Sequence, residues 1–209
     1  MLKVWESIQK KYNFKSTFYR YTMQKSRCAW VNLSNPEYVQ YHDQEWWVPV
    51  YDDQVLFEFL ILEWAQAGLS WETVLNKREN YRKIFHWFDA KKCSKLTDDE
   101  LEKILENPAI IRNKLKIFSV RKNAQVFLEI QKEFWSFSDY LWSYVWGKQI
   151  INSPKYISQV PVKTQLSETL SKVLKKRGMS FVWPTIIYSY LQASWLIDDH
   201  TLDCFCKKS

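Results

Sequence analysis

Residues 97–133 read TDDELEKILENPAIIRNKLKIFSVRKNAQVFLEIQKE. Thr97 and Glu100 have the spacing of a capping box, in which the hydroxyl and the carboxylate each satisfy a backbone N–H that a helix start leaves without a partner. The helix they open carries Leu101, Ile104 and Leu105 and stops at Pro108, which has no N–H to give and whose ring crowds the preceding turn. After a short Ala109-Ile110-Ile111 turn, a long amphipathic run extends from Arg112 to about Glu133. The pair reads as a helical hairpin.

The sequence on either side repeats the theme. From Asp53 the apolar positions Leu56, Phe59, Leu60 and Leu62 follow helical spacing to about residue 67, where Gly68 offers a left-handed stop. Ser70 can cap a further helix with Val74, Tyr81, Ile84 and Phe85 on its inner side. A helix near 167–177 is closed by Gly178, and another opens at Pro184 and runs to about Ile197. Only 149–162 looks extended. With no repeat, low-complexity tract or linker, the expected fold is all-α. Residues 1–26 stand apart as a charged, weakly periodic extension, with Met23 a plausible alternative start, and 27–209 form the domain.

A chain of 209 residues fits one catalytic unit with a substantial core. Its net charge of +7 suits a polyanion, because neutralising phosphates releases counterions, although charge alone fits simple solubility equally well. Four cysteines and three histidines are too few for a disulfide scaffold, which points to a reducing compartment and hence the cytoplasm. Charges interrupt every apolar run before it reaches signal-peptide or membrane-spanning length.

Two constellations carry chemistry. Cys28 and His42 near the front, with His200 and Cys204 four apart near the end, make a Cys2His2 set suited to tetrahedral zinc. Four protein ligands leave no position for an activated water, so such a zinc is structural and clips the chain ends together. Each of these residues taken singly is more simply a buried core Cys or His. Cys206 competes with Cys204, but the latter shares a helical face with His200 if the turn is helical; Cys93 and His86 are bystanders. The second constellation is Glu63, a carboxylate interrupting an apolar helix face, together with Tyr41, Trp46 and Trp71. A carboxylate there must find a partner or shift its pKa. Among aromatic planes it can read the exocyclic amino group of a flipped base.

The strings Cys28-Ala29-Trp30-Val31, Tyr41-His42-Asp43 with Glu45-Trp46, Gln66-Ala67-Gly68-Leu69-Ser70-Trp71, Lys77-Arg78-Glu79-Asn80-Tyr81, Lys175-Lys176-Arg177-Gly178 and Asp199-His200 occur in order. Over about 27–206 the chain resembles the 3-methyladenine DNA glycosylase I family. The resemblance implies the helix-hairpin-helix glycosylase fold, hydrolysis of the N-glycosidic bond of 3-methyladenine in alkylated double-stranded DNA by base flipping, and a bound zinc. It places the zinc ligands on Cys28, His42, His200 and Cys204, the base-reading carboxylate on Glu63, the stacking indole on Trp71 and further pocket aromatics on Tyr41 and Trp46. The family's hairpin falls on Pro108 to Lys114, where backbone N–H groups with Arg112 and Lys114 would hold a phosphate; Ala109 replaces the usual turn glycine.

Alkylation at N3 leaves adenine cationic and a good leaving group, so extrusion, orientation and charge stabilisation are the main demands on the enzyme. No lysine is placed as a Schiff-base nucleophile, so the expectation is a monomeric, monofunctional glycosylase. A non-catalytic zinc-stabilised nucleic-acid module would have no use for Glu63 among aromatics. A zinc nucleobase deaminase would need His-x-Glu and Pro-Cys-x-x-Cys, which His42-Asp43-Gln44 and Cys204-Phe205-Cys206 do not supply.

Twelve tryptophans against three glycines are out of proportion, glycine normally making up about 7% of a chain. Trp47, Trp64, Trp183 and Trp195 stand where the family's pattern has glycine, and Trp135 and Trp146 are further members of the set. A source organism that reads UGA as glycine would produce this pattern when the gene is written with UGA as tryptophan. Trp30, Trp46, Trp71 and Trp142 would then be genuine. On that account Trp64 and Trp183 are expected to crowd the pocket or its supporting turn. The rival account is aromatic enrichment for packing or stacking.

Overall fold

The computed structural model describes residues 25–46 and 48–207. In chain order these form α1 (Pro36–Gln40), which runs on into one π-helical turn (Tyr41–Glu45), α2 (Asp53–Ala65), α3 (Trp71–Leu75), α4 (Arg78–Ile84), α5 (Ala90–Cys93), α6 (Asp98–Glu106), α7 (Lys114–Phe134), α8 (Phe137–Ser143), β1 (Ile150–Ile151), α9 (Gln165–Lys176), α10 (Pro184–Ala193) and β2 (Ile197–Asp198). The all-α expectation holds. The extended stretch contributes only β1, which pairs in parallel with β2. The alternative start at Met23 lies outside the described residues.

The centre is α2, where every residue from Leu56 to Ala65 is buried. Helical spacing predicted a one-sided helix, but neighbours cover it on all sides: α7, α8 and α10 pack against it. Its first residue reaches outward, Asp53 accepting hydrogen bonds from the N–H groups of Phe137 and Ser138, both at 2.8 Å, and from Gln131 Nε2 at 2.6 Å. That carboxylate satisfies the free N-terminus of α8, a helix the sequence reading did not find.

The hairpin read from residues 97–133 is α6 and α7, with the capping box at Thr97 formed as expected. The second helix begins two residues later than expected, because Asn113 supplies its cap by accepting from Lys116 N at 3.1 Å. The predicted helix after Ser70 splits into α3 and α4 at Asn76 and Lys77.

Among the described residues, seven other than glycine have left-handed backbone: His86, Trp87, Phe88, Trp135, Trp146, Phe181 and Trp195. For residues with a Cβ this region costs roughly 1–2 kcal/mol each. Of the residues expected to crowd the pocket, Trp64 is buried against Phe181, with ring centroids 5.7 Å apart, and Trp183 is 59% exposed with Lys175 Nζ 3.5 Å from its ring centroid. Neither lines the described cavities. Trp47 lies outside the described residues.

Candidate active site and metal cluster

Segments far apart in sequence converge on one cavity of about 240 Å3. The π-helical turn after α1 makes the first wall. There the extra residue per turn sets Tyr41 toward the cavity while its neighbour His42 faces a separate Cys/His cluster. Trp46 joins the two features. It lines the cavity and packs against His200, with centroids 4.4 Å apart, and against Trp30 at 4.8 Å.

Glu63 comes from the third turn of α2 and Trp71 from the first position of α3, which Ser70 caps by accepting from Thr73 N. The Trp71 ring lies 5.2 Å from that of Tyr41. Glu63 is 5% exposed and has no hydrogen-bond partner among the described residues. Burial pushes its carboxyl up to about 8. Burial also raises the Tyr41 phenol, with a further contribution from Glu63. The indole N–H of Trp71 is likewise buried without an acceptor. The four predicted pocket residues therefore meet, with the Glu63 carboxyl lining the cavity and the Trp71 indole N–H enclosed in its wall.

Sequence reasoning missed much of the remaining wall: Trp30, Tyr38, Gln66, Ser189, Gln192 and Asp199. Asp199 is held by Tyr188 Oη at 2.5 Å, Gln192 Nε2 at 2.7 Å and Asn152 Nδ2 at 2.8 Å. It also missed the clamp behind the pocket. Arg78 is buried between Glu45 at 2.7 Å and Glu58 at 2.5 Å, locking the turn that carries Tyr41 to the helix that carries Glu63. The string Lys77-Arg78-Glu79-Asn80-Tyr81 was the available signal, but it named no partner.

Cys28, His42, His200 and Cys204 are all buried, with their ligand atoms within 4.8 Å of one another. Zn–S bonds of about 2.3 Å and Zn–N bonds of about 2.0 Å imply tetrahedral edges of roughly 3.3–3.8 Å. The Cys204 Sγ to His42 Nε2 separation is 3.4 Å. Each imidazole is oriented from behind: His42 Nδ1 lies 2.9 Å from Asp43, and His200 Nδ1 lies 2.8 Å from Asp198. This leaves both Nε2 atoms facing the thiols, and that of His200 is buried without a partner among the described residues. Hydrogen bonds from Cys206, Cys28 and His42 lower the Cys204 thiol. The donor set fits a tetrahedral metal ion. The expected helical turn between His200 and Cys204 is absent: β2 ends before His200, and a tight turn closed by Cys204 N to Thr201 O at 2.9 Å brings the two together. Cys206 faces His42 and Asp43 outside the set of four, while Cys93 is buried against the carbonyl of Phe85.

Arg112 is exposed in the α6–α7 loop and Lys114 is exposed at the first position of α7, where it pairs with Glu102 at 2.5 Å. Several loop N–H groups expected to face a phosphate already have acceptors: Ala109 N bonds Asn107, Ile111 N bonds Tyr81 and Asn113 N bonds the carbonyl of Ile111.

Residues 30–207 match the model of the family described as methyladenine glycosylase. The chain belongs to the methyladenine glycosylase family. It is 46% identical over 184 residues to the DNA-3-methyladenine glycosylase of Haemophilus influenzae, an alignment covering 88% of this chain and 99% of the relative. It is 43% identical over 180 residues to DNA-3-methyladenine glycosylase 1 of Escherichia coli, covering 86% and 96%. A crystal structure of 3-methyladenine DNA glycosylase I superposes with a TM-score of 0.85 at 44% identity, covering 88% of this chain and all of that one. Within this methyladenine glycosylase, no helix among the described residues is long and apolar enough to cross a membrane.

Proposed function

We propose that the protein is a DNA repair hydrolase that releases 3-methyladenine from alkylated double-stranded DNA by cleaving its N-glycosidic bond. The observation that carries this is Glu63, buried inside an aromatic cavity without a hydrogen-bond partner among the described residues. A flipped base brings to that carboxyl an exocyclic amino group, which stabilises the ionised form and draws its pKa down, while Trp71 and Tyr41 supply ring faces for stacking. Normal bases, which lack the cationic leaving group, gain nothing comparable from being extruded. The reaction we propose is hydrolysis without a Schiff-base step, and among the described residues no lysine lines the cavity. Relatives named as DNA-3-methyladenine glycosylases support the assignment, as does a structural neighbour, at 35% identity and a TM-score of 0.84, that is a variant 3-methyladenine DNA glycosylase I in complex with 3-methyladenine.

Cys28, His42, His200 and Cys204 are the proposed ligands of one structural zinc. When bound it supplies cohesion between chain ends, since four protein donors close its coordination. Arg112 and Lys114 are the proposed phosphate contacts. The setting we propose is the cytoplasm, with the protein acting as a monomer.

Incubation with methylated duplex DNA, followed by chromatography of the released bases, tests the activity. Free 3-methyladenine is the expected product. DNA binding with no released base would instead establish the non-catalytic zinc module.

A further inference from the structure

Three helices among the described residues end in the same way. At the end of α9, Gly178 N bonds Lys175 O at 2.9 Å and Met179 N bonds Leu174 O at 3.0 Å, with Gly178 at φ 103°. This is a Schellman motif, whose left-handed position suits glycine because a Cβ there meets the backbone. At the end of α10 the same two bonds run from Trp195 N to Gln192 O at 3.0 Å and from Leu196 N to Leu191 O at 2.9 Å, with Trp195 at φ 60°. After α8 they run from Trp146 N to Ser143 O at 3.1 Å and from Gly147 N to Trp142 O at 3.0 Å, with Trp146 at φ 55°. One cap has glycine at the left-handed position and two have tryptophan.

The turn between α7 and α8 makes a similar demand. The first helix ends at Phe134 and Ser136 already caps the second, while Asp53 pins the N–H groups of Phe137 and Ser138. Trp135 alone must reverse the chain, and it does so at φ 72°. Trp87 sits at φ 58° in the middle of three consecutive left-handed residues. At two of these four positions the side chain stands in solvent: Trp135 is 95% exposed and Trp146 is 91% exposed. By contrast Trp142 donates its indole N–H to Val50 O at 3.0 Å, and Trp30, Trp46 and Trp71 pack into the site at ordinary φ.

We infer that positions 87, 135, 146 and 195 are glycine in the protein its own cell makes, each encoded by a UGA codon read there as glycine. UGA is the codon that translates as tryptophan under one reading and glycine under another, so a single reassignment accounts for all four exchanges and for a total of three glycines in 209 residues. The backbone argument adds Trp87 to the positions suspected from the sequence and separates out Trp64 and Trp183, whose φ values are not left-handed. The functional consequence falls on the site: position 195 turns the chain from α10, which bears Gln192, into the strand leading to Asp199 and His200.

The test reads the gene and the native protein. The expected result is UGA at 87, 135, 146 and 195, UGG at 30, 46, 71 and 142, and glycine in the corresponding tryptic peptides of protein purified from the source cells. UGG at Trp146 or Trp195, or tryptophan in the native peptides, overturns the inference. A second arm uses the recombinant chain as written, in which W135G and W146G remove solvent-exposed indoles. Each is expected to raise the thermal midpoint by roughly 2 °C or more. An unchanged or lower midpoint in both overturns the backbone argument.

Discussion

Lys116, a buried residue of α7, donates its ammonium to the carbonyls of Ala67 at 2.8 Å and Ala65 at 3.0 Å, tying the long hairpin helix to the end of α2 and the loop that carries Gln66. Burial lowers its pKa. The two bonds link the hairpin, where DNA is proposed to bind, to the cavity that would receive the base.

Lys116→Met should therefore loosen the pocket loop. The Ala65 carbonyl loses a buried donor, at a cost of about 1–3 kcal/mol. A lower unfolding midpoint by calorimetry, with base release reduced more than DNA binding, is the expected outcome. Full turnover in the variant would remove Lys116 from the pocket's support.

Glu63 supplies a pH dependence. Its carboxyl titrates near 8 in the folded chain and near the ordinary 4.5 when unfolded. Between those values the folded protein keeps a proton the unfolded chain has lost, so stability falls as pH rises, by up to about 1.4 kcal/mol per pH unit, and levels off above about 8. Glu63→Gln carries no such proton. It should be more stable than the parent above pH 8, converge with it near pH 4, and release base more slowly. Parallel stability curves from pH 4 to 9 would contradict the burial account, and unchanged turnover would take Glu63 out of the site.

Trp71→Ala removes one ring face of the cavity. Its expected cost is roughly 1–3 kcal/mol in affinity for free 3-methyladenine, measured by titration calorimetry. Equal affinity would assign the ring to packing alone.

The Cys/His cluster joins residues 28 and 42 to 200 and 204, so metal binding should be coupled to folding. Elemental analysis is expected to find one zinc per folded chain, and a strong chelator should lower the unfolding midpoint. Folded protein free of metal would exclude the assignment.

Replacing Arg112 and Lys114 together with glutamine should flatten the dependence of log Kd on log salt by about 1 to 2 units, one for each phosphate that is no longer neutralised. The Lys114 pair with Glu102 is exposed and should contribute little to stability. An unaltered salt slope would place the DNA elsewhere on the surface.

What sequence alone determined were features whose partners are close along the chain. The capping box at Thr97, the cap at Ser70 and the stop at Gly178 are local arrangements between a side chain or a backbone angle and the next turn, so spacing suffices to read them. The Cys2His2 set was legible for a different reason: few residue types bind zinc, and four of them in that arrangement limit the possibilities. Glu63 stood out because a carboxylate on an apolar helix face has to be explained. The tertiary structure decided what depends on distant segments meeting. It brought Trp30, Tyr38, Gln192 and Asp199 to the same wall, set Arg78 between Glu45 and Glu58, and showed Asp53 holding the start of α8. It also replaced the expected helical turn before Cys204 with a strand end and a tight turn. Neither a pairing across tens of residues nor a backbone angle imposed by two packed helices leaves a periodic mark in the chain, because both are set by where the neighbouring elements come to rest.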